Sequence, residues 1–214
     1  MRSDREKMDY DVVIVGAGPA GLSAAIKLKQ LSKNNNSELS VCIVEKGPEV
    51  GAHILSGAVF ETRALIELFP NWKEMSHPKM SAVTEEKFIF LSKNKSIKLP
   101  NLLLPKTMKN HNNYIISLAN MCRWLAEEAE KLGVEIYPGF AAKEILYDDE
   151  GSVIGIATGD MGVDKNFDKT PAFEAGIELL GKYTLFAEGC RGHLGKQLIK
   201  KYNLDKGKSP QSYG

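Results

Sequence analysis

Asp11-Val-Val-Ile-Val-Gly-Ala-Gly-Pro-Ala-Gly-Leu-Ser-Ala-Ala25 decides how the rest of the chain is read. Val12 to Val15 are four apolar, β-branched residues, the mark of a short parallel strand buried on both faces. Gly16, Gly18 and Gly21 follow at G-x-G-x-x-G spacing, and Leu22 to Leu31 then reads as a helix. Each glycine has a task in a strand–turn–helix that holds a dinucleotide. Gly16 permits the tight turn, Gly18 lets backbone approach a pyrophosphate, and Gly21 lets helix and strand pack closely. The helix N-terminus adds unpaired N–H groups and a positive dipole end that suit phosphates.

The glycines stand in a context. Ser40 to Val44 is a second apolar strand, and Glu45 ends it, 24 residues past Gly21, with Lys46 next. A carboxylate there is placed to accept from the ribose hydroxyls of an adenosine. Spacing leaves both FAD and NAD open. Pro19 and Ala20 inside the loop, and the loop's position close to the N-terminus, lean toward FAD.

The chain has 214 residues, 43% hydrophobic, with 28 basic and 27 acidic side chains and a net charge of +1. Such a balance gives no field for nucleic acid and places the chain among ordinary globular proteins. No apolar run is long enough to span a bilayer. The charged start, Met1 to Asp9, lacks the pattern of a signal or transit peptide. Cys42, Cys122 and Cys190 are far apart in sequence, which suits thiols in a reducing compartment and falls short of an iron–sulfur motif. Lys208-Ser-Pro-Gln-Ser-Tyr-Gly214 has the composition of a connector, so the expectation is a portion of a longer protein.

Outside the first βαβ unit, Glu61 to Phe69 reads as a helix and Lys87 to Leu91, Ser96 to Leu99 and Tyr114 to Ile116 as short strands. Leu118 to Lys131 is an amphipathic helix ended by Gly133. Val134 to Tyr137 is a strand, and Ala141 to Tyr147 with Ser152 to Ala157 is a hairpin turned at Asp148-Asp-Glu-Gly151. Thr158 to Thr170 reads as a polar insertion, Ile177 to Phe186 as strand, and His193 to Tyr202 as a short helix. Two acid–glycine pairs fall near strand ends: Gly159-Asp160 and Glu188-Gly189. A carboxylate at a strand's carboxyl end stands where open α/β sheets bind ligands; acid plus glycine is also ordinary turn chemistry.

The middle of the chain carries a different pattern. Lys87 to Ala126 contains no Asp or Glu, yet it holds Lys87, Lys93, Lys95, Lys98, Lys106, Lys109 and Arg123. Phe88-Ile-Phe-Leu91 and Leu99-Pro-Asn-Leu-Leu-Leu-Pro105 lie among these cations. Apolar side chains flanked by lysines suit an anionic membrane surface. An ordinary core hairpin with solvated lysines fits the same residues.

Several stretches together resemble the electron transfer flavoprotein–ubiquinone oxidoreductase family. They are Val12 to Ala25, Val41-Cys-Ile-Val-Glu-Lys46, Gly51-Ala-His-Ile-Leu-Ser-Gly57, Glu67-Leu-Phe-Pro-Asn-Trp-Lys73 and Asn110-His-Asn-Asn-Tyr-Ile115. Gly151-Ser-Val-Ile-Gly-Ile-Ala157, Phe186-Ala-Glu-Gly-Cys-Arg-Gly-His-Leu194 and Pro210-Gln-Ser-Tyr-Gly214 continue the likeness. The resemblance implies an α/β, FAD-binding Rossmann-like domain of glutathione-reductase type with an inserted, incomplete β-rich segment. The expected division is 1–75 and 117–214 for the FAD-binding parts and 76–116 for a quinone- and membrane-side segment. It implies a flavin–quinone oxidoreductase that passes electrons from reduced electron transfer flavoprotein to ubiquinone. A 4Fe-4S cluster would lie in a C-terminal part beyond this N-terminal portion, which alone would be inactive.

Cofactor contacts are then expected from Gly16, Gly18, Pro19, Ala20, Gly21, Glu45, Lys46, Gly51, Ala52, Ser56, Gly57, Ser117, Glu188 and Gly189. No catalytic acid, base or nucleophile is expected, and no metal ligand. Ser117 stands where many related flavoproteins carry Arg, and Glu188 where broader relatives carry Asp. The family implies peripheral attachment, on the cytoplasmic face of a bacterial inner membrane or the matrix face of a mitochondrial one, and the acid-free stretch with its flanking lysines offers Phe88 to Leu104 for it. Two rival readings are a geranylgeranyl-reductase-type FAD enzyme and a non-catalytic FAD-binding fragment.

Overall fold

The computed structural model describes residues 5–55, 57–165 and 168–208. In chain order its elements are β1 (Lys7–Val15), α1 (Pro19–Asn34), β2 (Val41–Glu45), β3 (Ala58–Phe60), α2 (Arg63–Leu68), β4 (Ser81–Ala82), β5 (Phe88–Leu91), β6 (Ser96–Leu99) and β7 (Tyr114–Ile116). Then follow α3 (Leu118–Lys131), β8 (Glu135–Pro138), β9 (Ala142–Tyr147), β10 (Val153–Thr158), β11 (Met161–Val163), β12 (Lys169–Glu174), β13 (Glu178–Phe186) and α4 (His193–Tyr202). The described residues divide into two compact units. One runs up to Ile54 and resumes at Cys122; the other is Leu55–Met121. The division therefore falls at Ile54 and Met121 rather than at residues 75 and 116. β3 draws the residues after Ile54 into the second unit, because it pairs with β7 from Ala58↔Ile116 to Phe60↔Tyr114.

The first unit is built on a sheet of order β8-β2-β1-β13-β10-β9. β8, β2, β1 and β13 are mutually parallel, and β10 and β9 turn back antiparallel at one side. Alternation along β1 fills both faces. Val13 and Val15 join Cys42, Val44, Ile145, Ile156, Leu179 and Leu194 of α4 in one buried cluster. On the opposite face a side chain at Gly21 of α1 would meet Ile14, and Leu22, Ala25 and Ile26 of that helix are fully buried. β1 begins earlier than its apolar run, at Lys7, because β13 pairs with it in parallel from Lys7↔Glu178 to Val15↔Phe186. The other edge of β13 meets β10 only from Glu178 to Leu180. From Gly181 to Phe186 that edge has no partner strand among the described residues.

Helix α1 starts at Pro19, three residues ahead of the expected Leu22. Proline suits this first helical position, where its missing N–H would have had no helical partner. The stretch expected as a plain polar insertion holds a small hairpin, β11 with β12. Thr158 is buried there, and its hydroxyl accepts from the Ile177 N–H at 2.9 Å.

The second unit is β-rich. It contains the sheet β3-β7-β4 and the separate hairpin β5-β6, paired from Phe88↔Leu99 to Leu91↔Ser96. Trp72 is buried, with the Tyr114 ring edge-on at 5.9 Å.

A polar knot ties β1 to β8. The Tyr10 hydroxyl donates to Glu135 at 2.6 Å, and the Tyr137 hydroxyl lies on the same carboxylate oxygen. These two phenols hold the Glu135 carboxyl below its ordinary value of 4.5. The folded protein therefore binds this proton less readily than the unfolded chain, and the contribution to stability is full above pH 4.5 and lost as pH falls through the lowered folded value. Glu135→Gln is expected to flatten that part of the acid unfolding curve while leaving its shape near neutral pH. Circular dichroism across an acid titration checks this.

Candidate functional site

Three parallel strands end together around Gly16. Its N–H donates to Val44 O at 2.8 Å, and the next N–H after β13, that of Ala187, donates to Val15 O at 2.8 Å. β1 runs into α1 and on to β2 at one side, while β13 arrives at the other, so the loop lies where the strand order reverses. Open α/β sheets bind their ligands at this point.

The three glycines do different work. Gly16 has φ +106°, and a Cβ there would lie 2.6 Å from Ala187 O. At Gly21 a Cβ would lie 2.0 Å from Gly16 O. Both are therefore held by the protein's own packing. Gly18 is different: its backbone is extended at φ −81°, and a Cβ would meet nothing within 4 Å. Neither strain nor packing requires glycine at this position. What remains is open space at the N-cap of α1, where a side chain would fill the room a bound group needs. No side chain caps this helix end, so its first-turn N–H groups are available to a phosphate. Pro19 and Ala20 are exposed beside it. These features fit a dinucleotide pyrophosphate.

Glu45 stands next to the loop. One carboxylate oxygen accepts from the Ala17 N–H at 3.0 Å and the other from the Gly47 N–H at 2.7 Å. A carboxylate has about four lone-pair positions, so two remain for hydroxyl donors. The Ala17 contact was not legible as a motif, since it uses a backbone N–H that any residue supplies. Past Lys46, which is exposed, the chain folds back. The Ala52 N–H donates to Glu49 O, the buried Gly51 has φ +86°, and the His53 ring comes to 3.4 Å from where a Cβ on Gly47 would be. Arg123 of α3 ion-pairs with Glu49 at 2.8 Å. Burial, with the Glu45 charge nearby, pushes the Cys122 thiol up to about 11, and burial pushes Cys42 up to about 12. Both thiols therefore remain neutral parts of the core.

The other expected contacts have surroundings of their own. The Glu188 carboxylate turns to the start of α4, accepting from the Leu194 N–H at 3.3 Å and the Gly195 N–H at 2.7 Å, with His193 Nδ1 at 3.3 Å. A negative charge at that helix end is favourable in itself. Gly189 takes φ +77° in the turn between them. Asp160 accepts from the Gly176 N–H at 2.8 Å, with Arg5 at 3.9 Å, so it closes a turn. Gly57, with φ +84°, and Ser117 belong to the second unit. The Ser117 hydroxyl accepts from the Asn120 N–H at 3.4 Å, in the manner of an N-cap on α3. Ser56 and Pro210 to Gly214 lie outside the described residues.

Comparison with known proteins agrees with this geometry. Residues 14–85 match the model of the family described as NAD(P)-binding Rossmann-like domain. The electron transfer flavoprotein-ubiquinone oxidoreductase of Pseudomonas aeruginosa is 62% identical over 99% of this chain, which covers 39% of that relative. The resemblance seen in the motifs thus extends along essentially the whole chain. The chain spans 31–39% of the length of such curated relatives, as expected for an N-terminal portion. Among solved structures, a geranylgeranyl bacteriochlorophyll reductase-like protein from Thermoplasma acidophilum superposes with TM-score 0.57 at 20% identity, over 85% of this chain and 39% of that one. A flavin-dependent monooxygenase in complex with FAD and substrate gives TM-score 0.59 at 16% identity, over 89% of this chain and 32% of that one. At these identities the two structures share the fold, Rossmann-like α/β, and nothing finer.

The contrast between the glycines is measurable. Gly21→Ala forces a methyl against a carbonyl and is expected to cost about 1–3 kcal/mol of stability. Gly18→Thr supplies a residue suited to an N-cap and is expected to change stability by about 0.5 kcal/mol or less. Thermal unfolding of the two apo-protein variants checks the difference.

Proposed function

We propose that this chain is the FAD-binding part of an electron transfer flavoprotein–ubiquinone oxidoreductase. The observation that carries the reading is the 62% identity to such an enzyme over 99% of the chain, running through a glycine loop whose open position, Gly18, has no structural reason to be glycine. FAD supports electron exchange in single steps with an iron–sulfur centre and in pairs with a quinone. The residues here bind and orient it. The loop Gly16 to Gly21 and the first turn of α1 hold the pyrophosphate, and the free lone pairs of Glu45 hold the adenosine ribose. Electrons enter from reduced electron transfer flavoprotein and leave to ubiquinone, with the 4Fe-4S cluster carried by polypeptide beyond this sequence. No acid–base pair or nucleophile is needed for that chemistry.

The second unit supports attachment to a membrane surface. Leu102 and Leu103 are 87% and 73% exposed, and Phe90 and Leu91 of β5 are 61% and 74% exposed. Leu104 is turned further inward and is half-buried. No helix among the described residues is long and apolar enough to cross a membrane. The proposed arrangement is peripheral, with Phe88 to Leu103 resting in one leaflet on the cytoplasmic face of a bacterial inner membrane, or the matrix face of a mitochondrial one.

Two measurements test these readings on the full-length protein that carries this sequence. Gly18→Thr is expected to fold and to purify without flavin absorbance; a full complement of FAD in that variant sinks the assignment of the loop. For the membrane, each leucine buried in lipid contributes about 1.5–3 kcal/mol. Leu102→Asp with Leu103→Asp is therefore expected to lower vesicle partitioning by more than about a hundredfold while the flavin spectrum is unchanged. Persistent sedimentation with vesicles sends the attachment to another surface.

A further inference from the structure

We infer that the cleft between α2 and the turn from Lys106 to Asn113 is a binding site for the phosphate of an anionic phospholipid headgroup. The inference rests on the peripheral attachment proposed above and adds a site to it. The cleft has a volume of about 580 Å³ and is lined by Arg63, Lys106, Lys109, His111 and Asn112, with Glu61 as its one carboxylate. Glu61 is already committed, accepting from Arg63 Nε at 2.9 Å. The ammonium groups of Lys106 and Lys109 have no ion-pair partner among the described residues. The lining is therefore cationic in excess and matches a phosphate in charge.

The wall that carries these groups is built firmly. Glu86 accepts from the Asn110 backbone N–H at 2.8 Å and from its amide at 3.2 Å. The Asn113 N–H closes the turn onto Asn110 O at 3.0 Å, and Asn112 takes φ +66°. The Val83 N–H then ties Asn113 O to the neighbouring segment at 2.9 Å. His111, Asn112 and Asn113 also line an adjoining cavity of about 280 Å³ against the buried Trp72. Glu86 thus spends its charge on the turn instead of on the lysines.

Chain order selects a lipid as the source of the phosphate. Leu102 and Leu103, both strongly exposed, lie in the short helical turn Asn101–Leu103, and Lys106 opens the next turn, Lys106–Met108, three residues on. Side chains that enter the acyl layer and cations at headgroup depth are in this way set one after the other on a short, proline-bounded stretch. Phosphatidylglycerol meets both demands, and a free phosphate meets only one.

Titration calorimetry on the full-length protein tests the site, with monomeric dihexanoylphosphatidylglycerol below its micelle concentration, dihexanoylphosphatidylcholine and inorganic phosphate as separate probes. The expected result is saturable binding of the glycerol lipid, weaker binding of the choline lipid, and none of inorganic phosphate. Lys106→Gln with Lys109→Gln is expected to weaken the glycerol lipid by about tenfold or more, and Lys93→Gln with Lys95→Gln by less than about twofold. Equal loss in the two lysine pairs overturns the site in favour of diffuse surface attraction. Binding of inorganic phosphate as tight as that of the lipid overturns the lipid assignment, and no binding of any probe overturns the cleft. Retention of the Leu102→Asp, Leu103→Asp variant on vesicles overturns the membrane reading alone, because the monomeric lipid reads the cleft without a bilayer.

Discussion

Close approach of backbone to backbone at Gly16 is the constraint on which the first unit depends. A Cβ at Gly21 would lie 2.0 Å from Gly16 O, and one at Gly16 would lie 2.6 Å from Ala187 O. Helix α1, strand β1 and the end of β13 therefore converge at a spacing that admits no side chain at either position. The same convergence directs the N–H of Gly16 to β2 and that of Ala187 to β1. It also brings Glu45 within reach of Ala17. Packing that serves the fold thus creates the crevice, and of the loop's three glycines the one without a packing duty, Gly18, faces the space that packing leaves.

Much of this was legible in residue patterns, because its causes are local. Four β-branched residues, glycines at fixed spacing and an acid at the end of the second strand specify β1, the turn and Glu45 with little help from the remainder. The limits of elements were less legible where distant partners decide them. β1 extends back through Lys7, Asp9 and Asp11, polar residues that no strand pattern selects, because Glu178 to Tyr183 pair with them. Asp11 is held there by Lys182 at 2.6 Å and by Ser40, which bring its carboxyl down to about 2. The hairpin β11–β12 was hidden for a similar reason. Its few apolar residues, Met161 and Val163 in β11, stay exposed, and Gly162 between them, at φ +64° with Ala172 O only 2.0 Å from a would-be Cβ, adds nothing to a hydrophobic period.

Glu188 shows how one motif can support two readings that composition does not separate. An acid followed by glycine at a strand's end suits a ligand, and it also suits the start of the next helix. The longer reach of Glu compared with Asp lets the carboxylate extend past Gly189 to the N–H groups of Leu194 and Gly195. Gly192 makes this possible, since a Cβ there would lie 2.6 Å from the Cβ of Glu188. In the second unit the exposed leucines were legible as a segment but not residue by residue. In the proline-bounded turns Leu102 and Leu103 face outward while Leu104 is half-buried, a difference among three like residues that hydrophobicity alone does not mark.

The free edge of β13 has a consequence for the physical behaviour of the chain. From Gly181 to Phe186 a row of amides and carbonyls has no partner strand among the described residues, and Tyr183 beside it is 71% exposed. A bare edge of this kind is a template on which another extended segment can grow, including the same segment of a neighbouring molecule. Lys182 is the one charge in the middle of that row, and its ammonium is drawn onto Asp11. It acts as a gatekeeper: a second copy laid along the edge must bring another lysine to the same place or shift its register.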